Sequence, residues 1–186
     1  MIYVVNFGSS KTPKIAECVK SAGTACEIVP WENPGLIDRQ KVKGIIFSGS
    51  PVFFTETDFT PYGSRYAFIQ SGKIPTLGIC FGHQLMGLLH GAQIFRGEEV
   101  RTTIPVRIMK RDFLFEGLED TTAMTEDHTE GITLPHGFIH LAASASYTIE
   151  GMRHPFLPLW GVQFHPEVSG KNGEILIGNF MAYCNR

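Results

Sequence analysis

The stretch Gly78-Ile79-Cys80-Phe81-Gly82 constrains this chain more than any other. Before it, Pro75-Thr76-Leu77-Gly78-Ile79 reads as a short buried strand. After it, His83 to His90 reads as a helix that stops at Gly91. A strand that turns straight into a helix brings two backbones close together, and the glycines two positions either side of Cys80 leave room for that. The turn puts a thiol beyond the carboxyl end of a strand, where open α/β sheets bind their ligands. The first amides of the helix and the positive end of its dipole favour the thiolate, which is the reactive form. The same pattern also fits an inert buried cysteine, so the rest of the chain has to decide between the two.

The flanking sequence extends the strand–helix alternation. Ile2 to Val5 is a continuous apolar run, as expected of a strand buried on both faces. Lys14 to Ser21 has helical spacing and is stopped by Gly23. Cys26 to Val29 and Gly44 to Phe47 read as two more strands, and Tyr66 to Gln70 as a helix ending near Gly72. This order predicts an α/β fold with a doubly wound, mostly parallel sheet and helices on both faces. The C-terminal half is different. Ile104 to Met109, Thr122 to Thr125, Phe138 to Ala142, Tyr147 to Met152 and Leu159 to Phe164 read as short strands that form an antiparallel extension, followed by a helix from Asn172 to Tyr183. With 186 residues and no linker or repeat, the chain is expected to form a single domain over 1–186.

Composition limits the partners. A formal net charge of -2 argues against nucleic acid, and no apolar run reaches bilayer length. The N-terminus lacks the features of a signal peptide, so a cytoplasmic location with reduced thiols is expected. Cys18, Cys26 and Cys184 read as small core residues, and the four cysteines have no zinc-like spacing. His83 and His90 share a helix face, and His136 and His140 flank a strand start. Neither pair has ligand partners at metal spacing, so neither a metal nor a cofactor is expected.

A base for Cys80 is available downstream. Trp160 to Phe164 reads as a strand continued by His165-Pro166-Glu167. In an extended segment, side chains two apart share a side, so His165 and Glu167 face one pocket. A carboxylate on one ring nitrogen fixes the tautomer and leaves the other nitrogen for the thiol proton. Two sources of oxyanion donors lie at the same sheet edge. They are the backbone N–H of Phe81 and the loop Ser48-Gly49-Ser50-Pro51, with Ser50 as the donor.

These residues resemble class I (triad-type) glutamine amidotransferases. Gly78 to Gln84 resembles the family's nucleophile motif, and Gly161-Val162-Gln163-Phe164-His165-Pro166-Glu167 resembles its G-x-Q-F-H-P-E motif. Ser48 to Pro51 resembles its oxyanion loop, and the three occur in family order. Within the family the nearest resemblance is to the amidotransferase part of GMP synthases. It rests on Asn6-Phe7-Gly8-Ser9, Glu27 to Trp31, Arg96-Gly97-Glu98 and Asn179 to Cys184. The resemblance implies hydrolysis of glutamine through a Cys80 thioester, with His165 as base and Glu167 as its orienter. Gln84, Asp127 and His128 would bind the substrate. The ammonia would pass to a separate ATP-dependent synthetase that aminates xanthosine monophosphate. The chain departs from the GMP synthase pattern at Ser50, at Val52-Phe53-Phe54, at Ser10-Lys11, at His83 and around His128.

Two other functions suit the same residues. One is a stand-alone hydrolase of γ-glutamyl amides, with Phe53 and Phe54 lining a larger pocket. The other is a non-catalytic relative, against which an intact Cys-His-Glu set argues.

Overall fold

The computed structural model describes all residues, Met1–Arg186. Its strands are β1 (Ile2–Asn6), β2 (Cys26–Pro30), β3 (Gly44–Phe47), β4 (Thr76–Ile79), β5 (Ile94–Val100), β6 (Thr103–Ile108), β7 (Thr121–Thr125), β8 (His128–Ile132), β9 (Ile139–Ala143), β10 (Gly151–Arg153) and β11 (Leu159–Val162). Its α-helices are α1 (Thr12–Ser21), α2 (Thr60–Tyr66), α3 (Phe81–Leu89) and α4 (Gly170–Cys184). Nine strands form one sheet in the order β2-β1-β3-β4-β11-β10-β9-β6-β7. From β2 to β11 the pairing is parallel, and beyond β11 it is antiparallel. Strands β5 and β8 form a separate antiparallel pair.

The inner parallel strands are mostly apolar because their side chains enter one of two cores, whereas the edge strand β2 exposes Glu27 and Ile28. Ile2 and Val4 of β1 pack with α1 and α4, whereas Tyr3 and Val5 pack with α2 and α3. Strands β4 and β11 follow the same alternation. Leu77, Ile79, Trp160 and Val162 fill the α1/α4 core. Gly78 and Gly161 face α3 and are paired in register. A methyl on Gly78 would lie 2.5 Å from the Gly82 carbonyl oxygen, and one on Gly161 would lie 2.5 Å from His83 Nδ1. Two side-by-side glycines thus make a bare floor on which the N-terminal turn of α3 rests. The helix in turn comes so close to β3 that a methyl on Gly82 would lie 2.5 Å from Phe47 Cβ.

Some elements differ from the sequence reading. Pro13 and Pro61 start α1 and α2 earlier than hydrophobic spacing suggests, because proline suits the first helical turn. The expected helix over Tyr66 to Gln70 is the tail of this segment, a 3₁₀ turn that ends at left-handed Gly72. Of the expected strand Tyr147 to Met152, only its end forms β10. Tyr147 instead packs its ring beside β8, with its hydroxyl between the carbonyls of Glu98 and Thr129. Strands β5 and β8 carry Gly97, Gly131 and several charged residues, so the usual apolar alternation is missing there. No helix is long and apolar enough to cross a membrane.

Candidate active site

Cys80 caps α3 with φ 52° and ψ −107°, and no other non-glycine residue has a positive φ. Such a backbone costs energy and lasts only where its surroundings enforce it. Here the Cys80 N–H donates to the Val162 carbonyl at 2.9 Å, and the Cys80 carbonyl accepts from the Gln84 N–H at 3.0 Å. The Gly82 N–H donates to the Ser48 carbonyl at 3.1 Å. The turn is therefore tied to β11, to its own helix and to the loop after β3.

His165 and Glu167 meet Cys80 from the end of β11. The chain does not stay extended here, contrary to the sequence expectation. Strand β11 ends at Val162, and Pro166–Val168 is a 3₁₀ turn. Proline starts the turn, and the turn brings the Glu167 carboxylate back to His165, with Oε1 2.7 Å from Nδ1. Both side chains are buried. With Nδ1 on the carboxylate, Nε2 remains for the thiol. Burial alone would lower the imidazole pKa. The charge and hydrogen bonding of Cys80, joined by Glu167, overcome this and raise it to about 10. The imidazolium is thus the favoured form of His165. Gly49 makes the approach possible, since a methyl there would lie 2.9 Å from His165 Cε1.

The expected oxyanion donors converge on the same place. Phe81 is the first residue of α3, so its N–H has no intrahelical partner. The Ser50 N–H makes no backbone hydrogen bond, and the Ser50 hydroxyl accepts from the Val52 N–H at 3.1 Å. Ser48 Oγ accepts from the Phe7 N–H and donates to the Gly49 carbonyl, which fixes the root of this loop. Ser50, Cys80, Phe81 and Gln84 line a cleft of about 30 Å³. Beside it opens a cavity of about 430 Å³ lined by Lys11, Ser50, Phe53, Arg101, Asp127 and His165, among others.

The three expected substrate residues have different surroundings. Asp127 stands at the cavity, half-exposed, with ion pairs to Lys11 and, at 3.5 Å, to Arg101. Burial raises its pKa, but Lys11 outweighs this and leaves the carboxylate below its ordinary range. Gln84 borders the cleft, yet its NH₂ group donates to the Glu130 carbonyl at 3.0 Å and to Gln163 Oε1 at 3.1 Å. His128 lines the cavity with one edge and turns its ring into a buried polar group.

That group holds Glu126, His128 and Glu150, whose ligand atoms lie within 4.8 Å of one another. His128 Nδ1 donates to the Glu130 carbonyl at 2.9 Å, and Nε2 lies 3.0 Å from Glu126 Oε2 without hydrogen-bond alignment. Burial pushes the Glu126 carboxyl up to about 7. Burial and the nearby Glu126 push Glu150 up to about 8. Glu126 Oε1 and Oε2, His128 Nε2 and Glu150 Oε2 have no hydrogen-bond partner within this group. Sequence reasoning missed Glu126, Glu130 and Glu150. No motif marks them, and their role depends on the pairing of β5 with β8 and of β10 with β9.

Comparison with known proteins gives the family. Residues 3–182 match the model of the class-I glutamine amidotransferase family. The glutamine-hydrolyzing GMP synthase subunit of Thermococcus kodakarensis is 34% identical, with 99% of this chain and 98% of that protein covered. The protein of the same name in Methanosarcina mazei is 35% identical, covering 99% and 96%. The crystal structure of a putative GMP synthase subunit from Thermoplasma acidophilum superposes with a TM-score of 0.88 at 29% identity, covering 99% of this chain and 93% of that one. A strained cysteine at a strand–helix turn, with a carboxylate-held histidine beside it, thus sits within a full-length match, and the chain belongs to the class I glutamine amidotransferases.

Proposed function

We propose that this protein hydrolyses glutamine to glutamate and ammonia and supplies the ammonia to a separate synthetase subunit that makes GMP from xanthosine monophosphate with ATP. The observation that carries the chemistry is the strained Cys80 facing a His165 whose Nδ1 is held by Glu167 at 2.7 Å.

The reaction follows from these groups. The Cys80 thiolate attacks the side-chain amide carbon of glutamine. The resulting oxyanion accepts hydrogen bonds from the Ser50 and Phe81 amides. As the C–N bond breaks, His165 Nε2 gives its proton to the departing nitrogen, which leaves as ammonia, and a γ-glutamyl thioester remains. A water molecule then gives a proton to His165 and attacks the thioester. Glutamate departs and the thiolate returns. At the cavity, Asp127 suits the α-ammonium of the substrate, and Lys11 and Arg101 suit its α-carboxylate. The narrow cleft at Cys80 favours a plain carboxamide over a bulkier γ-glutamyl amide. The synthetase part of the reading is supported by the names of the relatives that cover the whole chain.

The test is ammonia release from glutamine, measured with and without the GMP-forming synthetase subunit of the source cell. Wild type releases ammonia, and the synthetase converts xanthosine monophosphate to GMP with glutamine as nitrogen donor. Cys80→Ala loses both activities, while GMP formation from added ammonium persists. Ammonia release that survives in Cys80→Ala ends the nucleophile assignment.

A further inference from the structure

The loop after β3 has the task of presenting the Ser50 amide to the cleft, yet it contains no α-helix or strand until α2 begins at Thr60. Something outside the loop must hold it. Glu130 does so from β8. One carboxylate oxygen accepts from the Phe54 N–H at 2.9 Å, and the other accepts from the Thr55 N–H at 2.8 Å. The Thr55 hydroxyl adds a third bond to the second oxygen. Glu130 is only 2% exposed. A buried carboxylate with no cation beside it is tolerable because these donors satisfy its charge.

The main chain of the same residue grips the nucleophile side. The Glu130 carbonyl accepts from Gln84 Nε2 on α3 at 3.0 Å and from His128 Nδ1 at 2.9 Å. One residue thus joins the helix that carries Cys80 to the loop that carries Ser50. Two further contacts close the arrangement. Phe54 stacks on Phe81, the residue after the nucleophile, with centroids 4.1 Å apart and planes 16° apart. Arg96, the cross-strand partner of Glu130 on β5, pairs with Glu56 and lies 5.0 Å from the Phe53 ring. The β5–β8 pair therefore holds the loop with adjacent side chains, one buried and one exposed.

We propose that Glu130 is a positioning residue for glutamine hydrolysis, holding the segment 50–55 so that the Ser50 amide and the Phe53 wall stay in register with Cys80. The proposal rests on the glutaminase reading above, and it explains how this chain accommodates Val52-Phe53-Phe54 in its oxyanion loop. Glu130 borders the cleft, but its carboxylate bonds only to Phe54 and Thr55 and not to Cys80 or His165, so its removal acts on geometry rather than on the thiol.

The test compares wild type, Glu130→Ala and Glu130→Gln. Glutamine retains an acceptor oxygen for one amide, so Glu130→Gln keeps part of the hold. Glu130→Ala is expected to lower kcat about 10–100-fold, less than the roughly 10²–10³-fold that outright loss of one oxyanion donor costs, because the Ser50 amide is displaced rather than removed. Glu130→Gln recovers part of that loss. Iodoacetamide alkylation of Cys80 stays within about threefold of wild type in both, because the elbow and His165 are untouched. Limited chymotrypsin digestion reads the hold without any substrate, and Glu130→Ala is expected to speed cleavage after Phe53 or Phe54 at least tenfold. Failure of wild type to release ammonia sinks the glutaminase reading, and the digestion result still judges the hold itself. Unchanged kcat or unchanged digestion in Glu130→Ala overturns the proposal. So does a parallel collapse of alkylation and melting temperature, which marks a general structural role.

Discussion

The Cys80 backbone stores strain, and two inactive variants can measure it. Cys80→Ala and Cys80→Gly both remove the sulfur, so their difference isolates the Cβ at φ 52°. At an unstrained buried position, glycine would be less stable than alanine on two counts. The lost methyl is worth about 0.8 kcal/mol. The greater freedom of glycine in the unfolded chain costs about 0.5–1 kcal/mol. The sum is about 1.5 kcal/mol, or roughly 3–6 °C in melting temperature for a domain of this size. A side chain forced into this backbone region costs about 1–3 kcal/mol, and glycine escapes that cost. The two terms offset each other, so Cys80→Gly is expected to melt within about 2 °C of Cys80→Ala, or above it. Calorimetry at pH 7, with urea unfolding as a second measure, decides the matter. A glycine variant 3–6 °C below the alanine variant refutes the claim that the elbow is strained.

Other expectations follow from the same geometry. Glu167→Gln removes the carboxylate that fixes His165, and kcat is expected to fall about 10²–10⁴-fold with little change in KM; a drop below threefold would remove Glu167 from the triad. Gly78→Ala meets only backbone, whereas Gly161→Ala meets the His83 ring. Both are expected to lose about 1–3 kcal/mol, Gly78→Ala the more, while Gly178→Ala on open helix surface gains about 0.5–1 kcal/mol. Urea midpoints in the reverse order would contradict the bare-floor packing. Glu150 also makes a pH prediction. Unfolded, its carboxyl loses its proton near 4.5, but folded it keeps it to about 8. The folded state binds the proton more tightly, so this residue's contribution to stability falls as pH rises from 4.5 to 8. Glu150→Gln removes that slope, so the mutant's melting temperature should gain on wild type across this window. A difference that stays flat with pH would show that Glu150 is ionised when folded.

How much of this was legible in the sequence depends on how local each signal is. The elbow was legible because Gly78 and Gly82 flank Cys80 within five residues, and the steric demand of the turn is met inside that window. The parallel half of the sheet was legible because strands buried on both faces are written as apolar runs. His165 and Glu167 were legible as a pair, but not as a 3₁₀ turn, because alternation in a strand and a proline-started turn both bring those two side chains together. Gly161 looked like part of a motif, and its physical reason emerged only when β11 paired with β4 and set it beside Gly78. Glu130 carried no signal at all. A glutamate in a mixed polar stretch usually faces water, and only the β5–β8 register reveals that this one supports a loop. The buried acids Glu126 and Glu150 were hidden for the same reason, each depending on a partner far away in the sequence.

The position of β11 in the sheet also bears on how the protein is made. This strand lies between β4 and β10 and delivers His165 to a cysteine synthesised well before it. Contacts between residues so far apart in sequence form late and slowly. Until β11 is made, the Cys80 turn lacks the Val162 carbonyl that anchors it, and the base and its carboxylate are missing as well. In that interval the thiol has neither the imidazolium that favours its ionised form nor a complete cleft. The order of synthesis thus acts as a safety catch, and the nucleophile is armed only when the C-terminal part of the sheet closes beside it.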